Sequence, residues 1–157
     1  MSRKPSKKHP GPRLADFMCF TVYATNLAYS RVYRPVLDHL GLTYPQYIAI
    51  IALWERDMQT VKALSETLYL EPSTITPMLQ RLEGMGYVRR VRDEKDQRSV
   101  LVGLTPAGRR LREKGLRHAE GTMQAAGLSP QEFTALQQAV ARLRDNLVEA
   151  AQPKVKA

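Results

Sequence analysis

The sequence predicts a mainly α-helical chain with one small β-hairpin. Three observations carry this. Apolar residues recur at three- and four-residue steps through most of 13–150. The pattern switches once, at 87–104, to two short β-rich runs around a polar turn. Cap residues stand ahead of successive apolar runs, at Thr43, Thr60, Thr105 and Ser129.

Residues 1–12 are rich in Pro, Lys and Ser without an apolar period, which predicts a disordered basic tail. A first helix follows over 13–40, with Phe17, Phe20, Ala24, Leu27 and Ala28 on one face. Pro35 should kink it or end its first part. Gly41 breaks the chain, and Thr43 with Gln46 forms a capping box for a second, apolar helix through Trp54. Thr60 opens a short third helix carrying Val61, Leu64 and Leu68 inward.

A break at 70–72 leads into a fourth helix, whose Ile75, Met78, Leu79 and Leu82 form an i, i+3, i+4, i+7 face. Its other face holds Ser73, Thr74, Thr76, Pro77, Gln80 and Arg81. If Thr74 is the N-cap, Pro77 falls harmlessly in the first turn; if the helix starts at Pro72, one backbone bond is lost. Gly84 and Gly86 end it. Residues 87–92 and 98–104 then read as antiparallel strands with a charged tip. Thr105 and Pro106 open a fifth helix, closed by Gly127. Ser129 and Glu132 box the start of a sixth, where Phe133, Leu136, Val140, Leu143 and Leu147 make an a/d seam suited to helix–helix association. Residues 151–157 read as a flexible C-terminal tail.

The 157 residues are 43% apolar, enough for a globular core. No apolar run reaches membrane-spanning length, and the basic N-terminus has no apolar segment behind it, so a cytoplasmic protein without a membrane partner is expected. The one cysteine excludes an intrachain disulfide. A net charge of +9 suggests a polyanionic partner, but Arg3, Lys4, Lys7, Lys8, Arg13, Lys154 and Lys156 place most of it at the two ends. A second excess lies within 59–117, which holds twelve basic and seven acidic residues. No glycine-rich phosphate loop or nucleophile motif occurs, and His9, His39 and His118 make a poor metal set, so no cofactor, no metal and no enzyme activity are expected.

Two short helices joined by a tight break and followed by a basic hairpin form the order of a winged helix-turn-helix. In such a reader the second helix enters the major groove, where Ser73, Thr74, Thr76, Gln80 and Arg81 suit base edges and phosphates. Arg89, Arg90, Arg92, Lys95 and Arg98 flank a wing able to reach the minor groove. Residues 43–104 are thus the expected DNA-binding region.

The stretch from Leu64 to Gly108 resembles the MarR family of transcriptional regulators, through Ser73-Thr-Ile-Thr-Pro-Met-Leu-Gln-Arg-Leu-Glu-Gly-Met-Gly86, Asp96-Gln-Arg98 and Leu104-Thr-Pro-Ala-Gly108. Cys19-Phe-Thr-Val-Tyr-Ala24, Tyr33-Arg-Pro35 and Gly41-Leu-Thr-Tyr-Pro-Gln-Tyr47 resemble its organic-hydroperoxide-sensing subgroup, in the one-cysteine variety. The resemblance implies a homodimer held together by the helical dimerisation region 13–42 and 105–150, on a pseudo-palindromic operator in double-stranded DNA, with Arg98 as the wing-tip arginine and Asp96 as its orienting carboxylate. Glu71-Pro-Ser-Thr74 and Gln80 depart from the subgroup's usual residues, which points to a different operator sequence.

A lone cysteine about a turn into an apolar helix reads, from the residues alone, as a small core residue. The resemblance instead implies that Cys19 reacts with organic hydroperoxides, that Tyr33 and Tyr44 hydrogen-bond to it, and that Tyr23 lies nearby. The oxidised product would be a sulfenic acid, open to capping by a low-molecular-weight thiol. The alternative is a repressor of the same fold that answers to a small aromatic ligand without thiol chemistry. A thiol peroxidase would need a resolving thiol, and an architectural DNA binder would show little sequence preference.

Overall fold

The computed structural model describes residues 11–112 and 124–151, which divide into two compact units, one ending at Arg112 and the other beyond it. In the first unit a 3-10 turn (Leu14–Asp16) precedes α1 (Met18–Leu40). The helix starts later than the period predicts. Arg13 and Asp16 close the short turn on each other, and Phe17 is extended at φ −94° and ψ 116°. Pro35 does not end α1, although its missing N–H removes a donor from the Arg31 carbonyl. Gly41, at φ 66°, supplies the left-handed residue that ends the helix, with Leu42 N–H reaching back to the Leu37 carbonyl at 2.9 Å.

The chain continues through α2 (Tyr44–Glu55), β1 (Gln59–Thr60), α3 (Val61–Leu68), α4 (Pro72–Gly84), β2 (Val88–Arg92), β3 (Val100–Leu104) and α5, described over 106–112. The expected caps are in place. Thr43 and Gln46 form the box at α2, Thr60 Oγ1 accepts from Ala63 N–H at 3.0 Å, and Thr105 Oγ1 accepts from Gly108 N–H at 3.1 Å. Apolar faces converge on one core of Tyr47, Ile50 and Leu53 from α2, Leu64 from α3, Ile75, Leu79 and Leu82 from α4, and Val88, Val102 and Leu104 from the sheet.

The sheet has three antiparallel strands in the order β1-β3-β2, with Gln59 opposite Val102 and Val88 opposite Leu104. The hairpin was expected; β1 was not, because two residues carry no period. Its Gln59 is buried and spends its amide on the Ala52 and Arg56 carbonyls at 2.9 and 2.7 Å.

The expected inner face of α1 is not covered within one chain. Only Leu37 and Leu40 are buried, while Phe17, Leu27 and Ala28 are exposed. In the second unit Ser129 and Glu132 bond reciprocally and open α6 (Pro130–Ala151), which has no buried residue and exposes Leu136, Val140 and Leu147 along its seam. Gly127, at φ 66°, precedes it as expected. Most of the expected N-terminal basic tail, the middle of the expected fifth helix and the expected C-terminal tail after Ala151 lie outside the described residues. Among the described residues no helix is long and apolar enough to cross a membrane.

A candidate nucleic-acid interface and thiol site

The turn between α3 and α4 is tight. Tyr69 takes a left-handed backbone at φ 54°, Leu70 N–H donates to the Ser65 carbonyl at 3.0 Å, and the Ser65 hydroxyl donates to the Leu70 carbonyl. Pro72 then occupies the first position of α4, which decides the alternatives for Pro77: it lies inside the helix and the Ser73 carbonyl loses its donor. Because Ile75, Met78, Leu79 and Leu82 are held in the core, the opposite face must point outward. Ser73, Thr74, Pro77, Gln80 and Arg81 are exposed on it, with Thr76 half-buried.

The wing tip is shaped by two carboxylates. Asp93 accepts from Lys95 N–H at 2.9 Å. Asp96 accepts from the Ser99 hydroxyl at 2.7 Å and from Arg98 N–H at 3.1 Å, and these bonds hold its carboxyl below the usual value. Asp96 therefore meets Arg98 at its backbone N–H. Arg92, Lys95, Asp96 and Arg98 are all exposed.

Arg90 does not belong to that set. Its Nε and Nη2 both meet Glu83 Oε2 at 2.7 Å, and its N–H donates to Glu83 Oε1 at 3.0 Å. The guanidinium fastens β2 to the last turn of α4 instead of facing a partner. At the root of the wing, Thr105 Oγ1 donates to the Gly86 carbonyl at 2.6 Å. Asp57 accepts from Leu104 N–H at 2.9 Å and pairs with Arg109. Partial burial pushes the Asp57 carboxyl up, but the N–H groups of Leu104 and Met58 together with Arg109 outweigh it and leave it low. Neither the Glu83–Arg90 nor the Asp57–Leu104 contact has a local spacing signature in the sequence, where Asp57 reads only as part of the polar exit from the second helix.

The thiol site is split. Cys19 is exposed at the second position of α1, nearer the helix start than expected and not in the core. Tyr23 is exposed one turn further on. Tyr33 and Tyr44 do come together, with ring centroids 5.3 Å apart in an edge-on contact. They are not beside Cys19. Tyr33 is fourteen residues along the same helix, roughly 21 Å at 1.5 Å per residue, so one chain cannot close the contact. Burial, then the neighbouring hydroxyls of Tyr33 and Tyr29, push the Tyr44 phenol above 10.0, so it remains a proton donor at neutral pH. Tyr47 continues the cluster at 6.1 Å from Tyr33, and Trp54 meets Tyr47 at 6.3 Å.

A presented polar helix, a basic wing and a helix-turn-helix on one core define a winged-helix regulator of the DNA-binding class. The family model described as transcriptional regulator SarA/Rot matches residues 31–114. The organic hydroperoxide resistance transcriptional regulator of Bacillus subtilis is 44% identical over 80% of this chain and 84% of its own length. The HTH-type transcriptional regulator TtmR of Methylorubrum extorquens is 44% identical over 83% and 67%. Reduced AbfR bound to DNA, a protein of Staphylococcus epidermidis, superposes with a TM-score of 0.73 at 31% identity, over 88% of this chain and 95% of that one. The chain belongs to the MarR family of transcriptional regulators, in its organic hydroperoxide-sensing branch with a single cysteine. It is a regulator and not an enzyme.

Proposed function

We propose that the chain is a cytoplasmic transcriptional repressor that binds a pseudo-palindromic operator as a homodimer and releases it when an organic hydroperoxide oxidises Cys19. Residues 43–104 read the DNA, with Ser73, Thr74, Thr76, Pro77, Gln80 and Arg81 in the major groove and Arg92, Lys95 and Arg98 at the minor groove. Residues 13–42 and 105–150 hold the two copies together.

The observation that carries this reading is the separation of Cys19 from Tyr33 along α1, with Tyr44 of α2 packed on Tyr33. Two α1 helices packed antiparallel and crossing near Asn26, midway between Cys19 and Tyr33, would set each thiol beside the other copy's tyrosine pair. The exposed Met18, Val22, Tyr23, Leu27 and Val32 supply apolar surface for that packing. Two-fold symmetry then makes two equal thiol sites and two reading heads at fixed spacing.

The Cys19 thiolate attacks the terminal peroxide oxygen, the O–O bond breaks, and the alkoxide takes up a proton to leave as the alcohol. The sulfur is oxidised by two electrons to a sulfenic acid, which a low-molecular-weight thiol converts to a mixed disulfide with loss of water. Added bulk at Cys19 displaces the tyrosines and spoils the spacing of the reading heads.

The test is operator binding by the reduced protein before and after near-stoichiometric cumene hydroperoxide, alongside Cys19→Ser. Release by the wild type with a mass increase on Cys19, and none by the variant, is expected. Release by Cys19→Ser on the same treatment would sink the reading.

A further inference from the structure

The tyrosine pair and the wing stand at opposite ends of α2, and side chains already in contact join them. Tyr44 packs on Tyr33, and Tyr33 on buried Tyr47. Trp54, two turns further along α2, meets Tyr47 edge-on at 84° between ring planes. Its Nε1–H donates to the Gly108 carbonyl at 3.1 Å.

Gly108 is a point where several elements meet without slack. Its N–H donates to Thr105 Oγ1, which itself donates to the carbonyl at the α4–β2 turn. A Cβ on Gly108 would lie 2.1 Å from the Tyr87 carbonyl oxygen and 3.0 Å from Leu104 Cδ2. Gly108, bonded to the indole, thus packs at once against the end of the α4–β2 turn, Leu104 of β3 and the start of α5.

We propose that Trp54 is a positioning residue that couples the Tyr33–Tyr44 pair to the root of the wing, through Tyr47 on one side and the Gly108 carbonyl on the other. This rests on the reading that oxidation of Cys19 disturbs those tyrosines. Close-packed rings have few alternative arrangements, so a displaced Tyr33 leaves Tyr47 and Trp54 to follow. An indole N–H is a donor only and makes one bond, so it cannot exchange partners while staying in place. The Gly108 carbonyl must move with it or lose its bond.

Trp54 is the single tryptophan of the chain, so its fluorescence reports this junction in the unmodified protein. Oxidising the reduced protein with cumene hydroperoxide should shift the emission of Trp54, and Cys19→Ser should show no shift. Trp54→Phe keeps an apolar ring and removes the N–H. Its ratio of oxidised to reduced operator Kd should fall about fivefold below that of the wild type. A merely structural role would lower thermal stability and leave that ratio unchanged. Tyr47→Leu, which removes the ring between Tyr33 and Trp54 but leaves the indole bond, should narrow the ratio in the same way and serves if Trp54→Phe does not fold.

Cys19 oxidation is followed by mass in each case. If the oxidised wild type keeps its operator, the switch reading fails and the relay falls with it. If the wild type releases while Trp54 emission is unchanged, or while the variants release with the wild-type ratio, the relay is overturned and the switch stands.

Discussion

Glu83 holds Arg90 by three bonds, two to the guanidinium at 2.7 Å and one to the backbone N–H at 3.0 Å, and so fixes the first wing strand to the last turn of α4. The side-chain bond from Arg90, reinforced by its backbone N–H, keeps the Glu83 carboxyl below 4.5. A carboxyl lowered by folding stabilises the fold above its ordinary value and stops doing so as pH falls through the folded one. The melting temperature of the wild type should exceed that of Glu83→Gln by a constant margin from about pH 7 to about pH 5, and the margin should close below roughly pH 4. A margin that persists at pH 3 would show that the pair is not its source.

The same contact separates Arg90 from the other wing cations. A charge already neutralised releases no counterions when DNA binds, whereas an exposed one does. Arg98→Ala and Arg92→Ala should each lower the slope of log K against log salt by about 1. Arg90→Ala should weaken binding through a loosened wing and leave that slope unchanged. Titrations at four or five salt concentrations decide it, and an equal slope change for all three would return Arg90 to the interface.

Gly108 offers a test of the wing root. Its Cβ position is filled by the backbone carbonyl of Tyr87, which cannot turn aside as a side chain could. Gly108→Ala should cost about 1–3 kcal/mol of stability, read by urea denaturation. At Gly11 a Cβ meets nothing within 4 Å, so Gly11→Ala should be close to neutral. Equal stability of the two variants would mean that α5 shifts freely against the wing.

Much of this architecture is legible in the sequence because local chemistry enforces it. Thr43 with Gln46, Thr60, Thr105 and Ser129 with Glu132 all mark helix starts that the structure contains, since an orphan N–H must find an acceptor within three residues. The face of α4 was equally readable, because Ile75, Met78, Leu79 and Leu82 leave one side for solvent. The unreadable parts depend on distant neighbours. β1 exists because Gln59 and Thr60 find Leu101 and Val102 some forty residues away. Arg90 looks like any wing arginine until Glu83 is seen beside it. Only the family resemblance joins Cys19 to Tyr33 as a chemical set, and only the unbroken run of α1 through Pro35 shows that one chain cannot bring them together.

That separation yields a prediction about mixed dimers. If each thiol site takes Cys19 from one copy and Tyr33 from the other, a dimer of one Cys19→Ser chain and one Tyr33→Phe chain carries one site with both defects and one with neither. It should release its operator on treatment with cumene hydroperoxide about as readily as a dimer with one wild-type site. The Cys19→Ser homodimer should not respond, and the Tyr33→Phe homodimer should respond weakly. Were the site built within one chain, the mixed dimer would hold two damaged sites and respond no better than the Tyr33→Phe homodimer. Two differently tagged chains, co-expressed and purified through both tags, supply the sample, and operator release against peroxide dose supplies the readout. The mixed dimer responding like a dimer with one wild-type site would place Cys19 and Tyr33 across the two-fold axis; the opposite result would require α1 to break so that one chain could fold Cys19 back onto its own tyrosines.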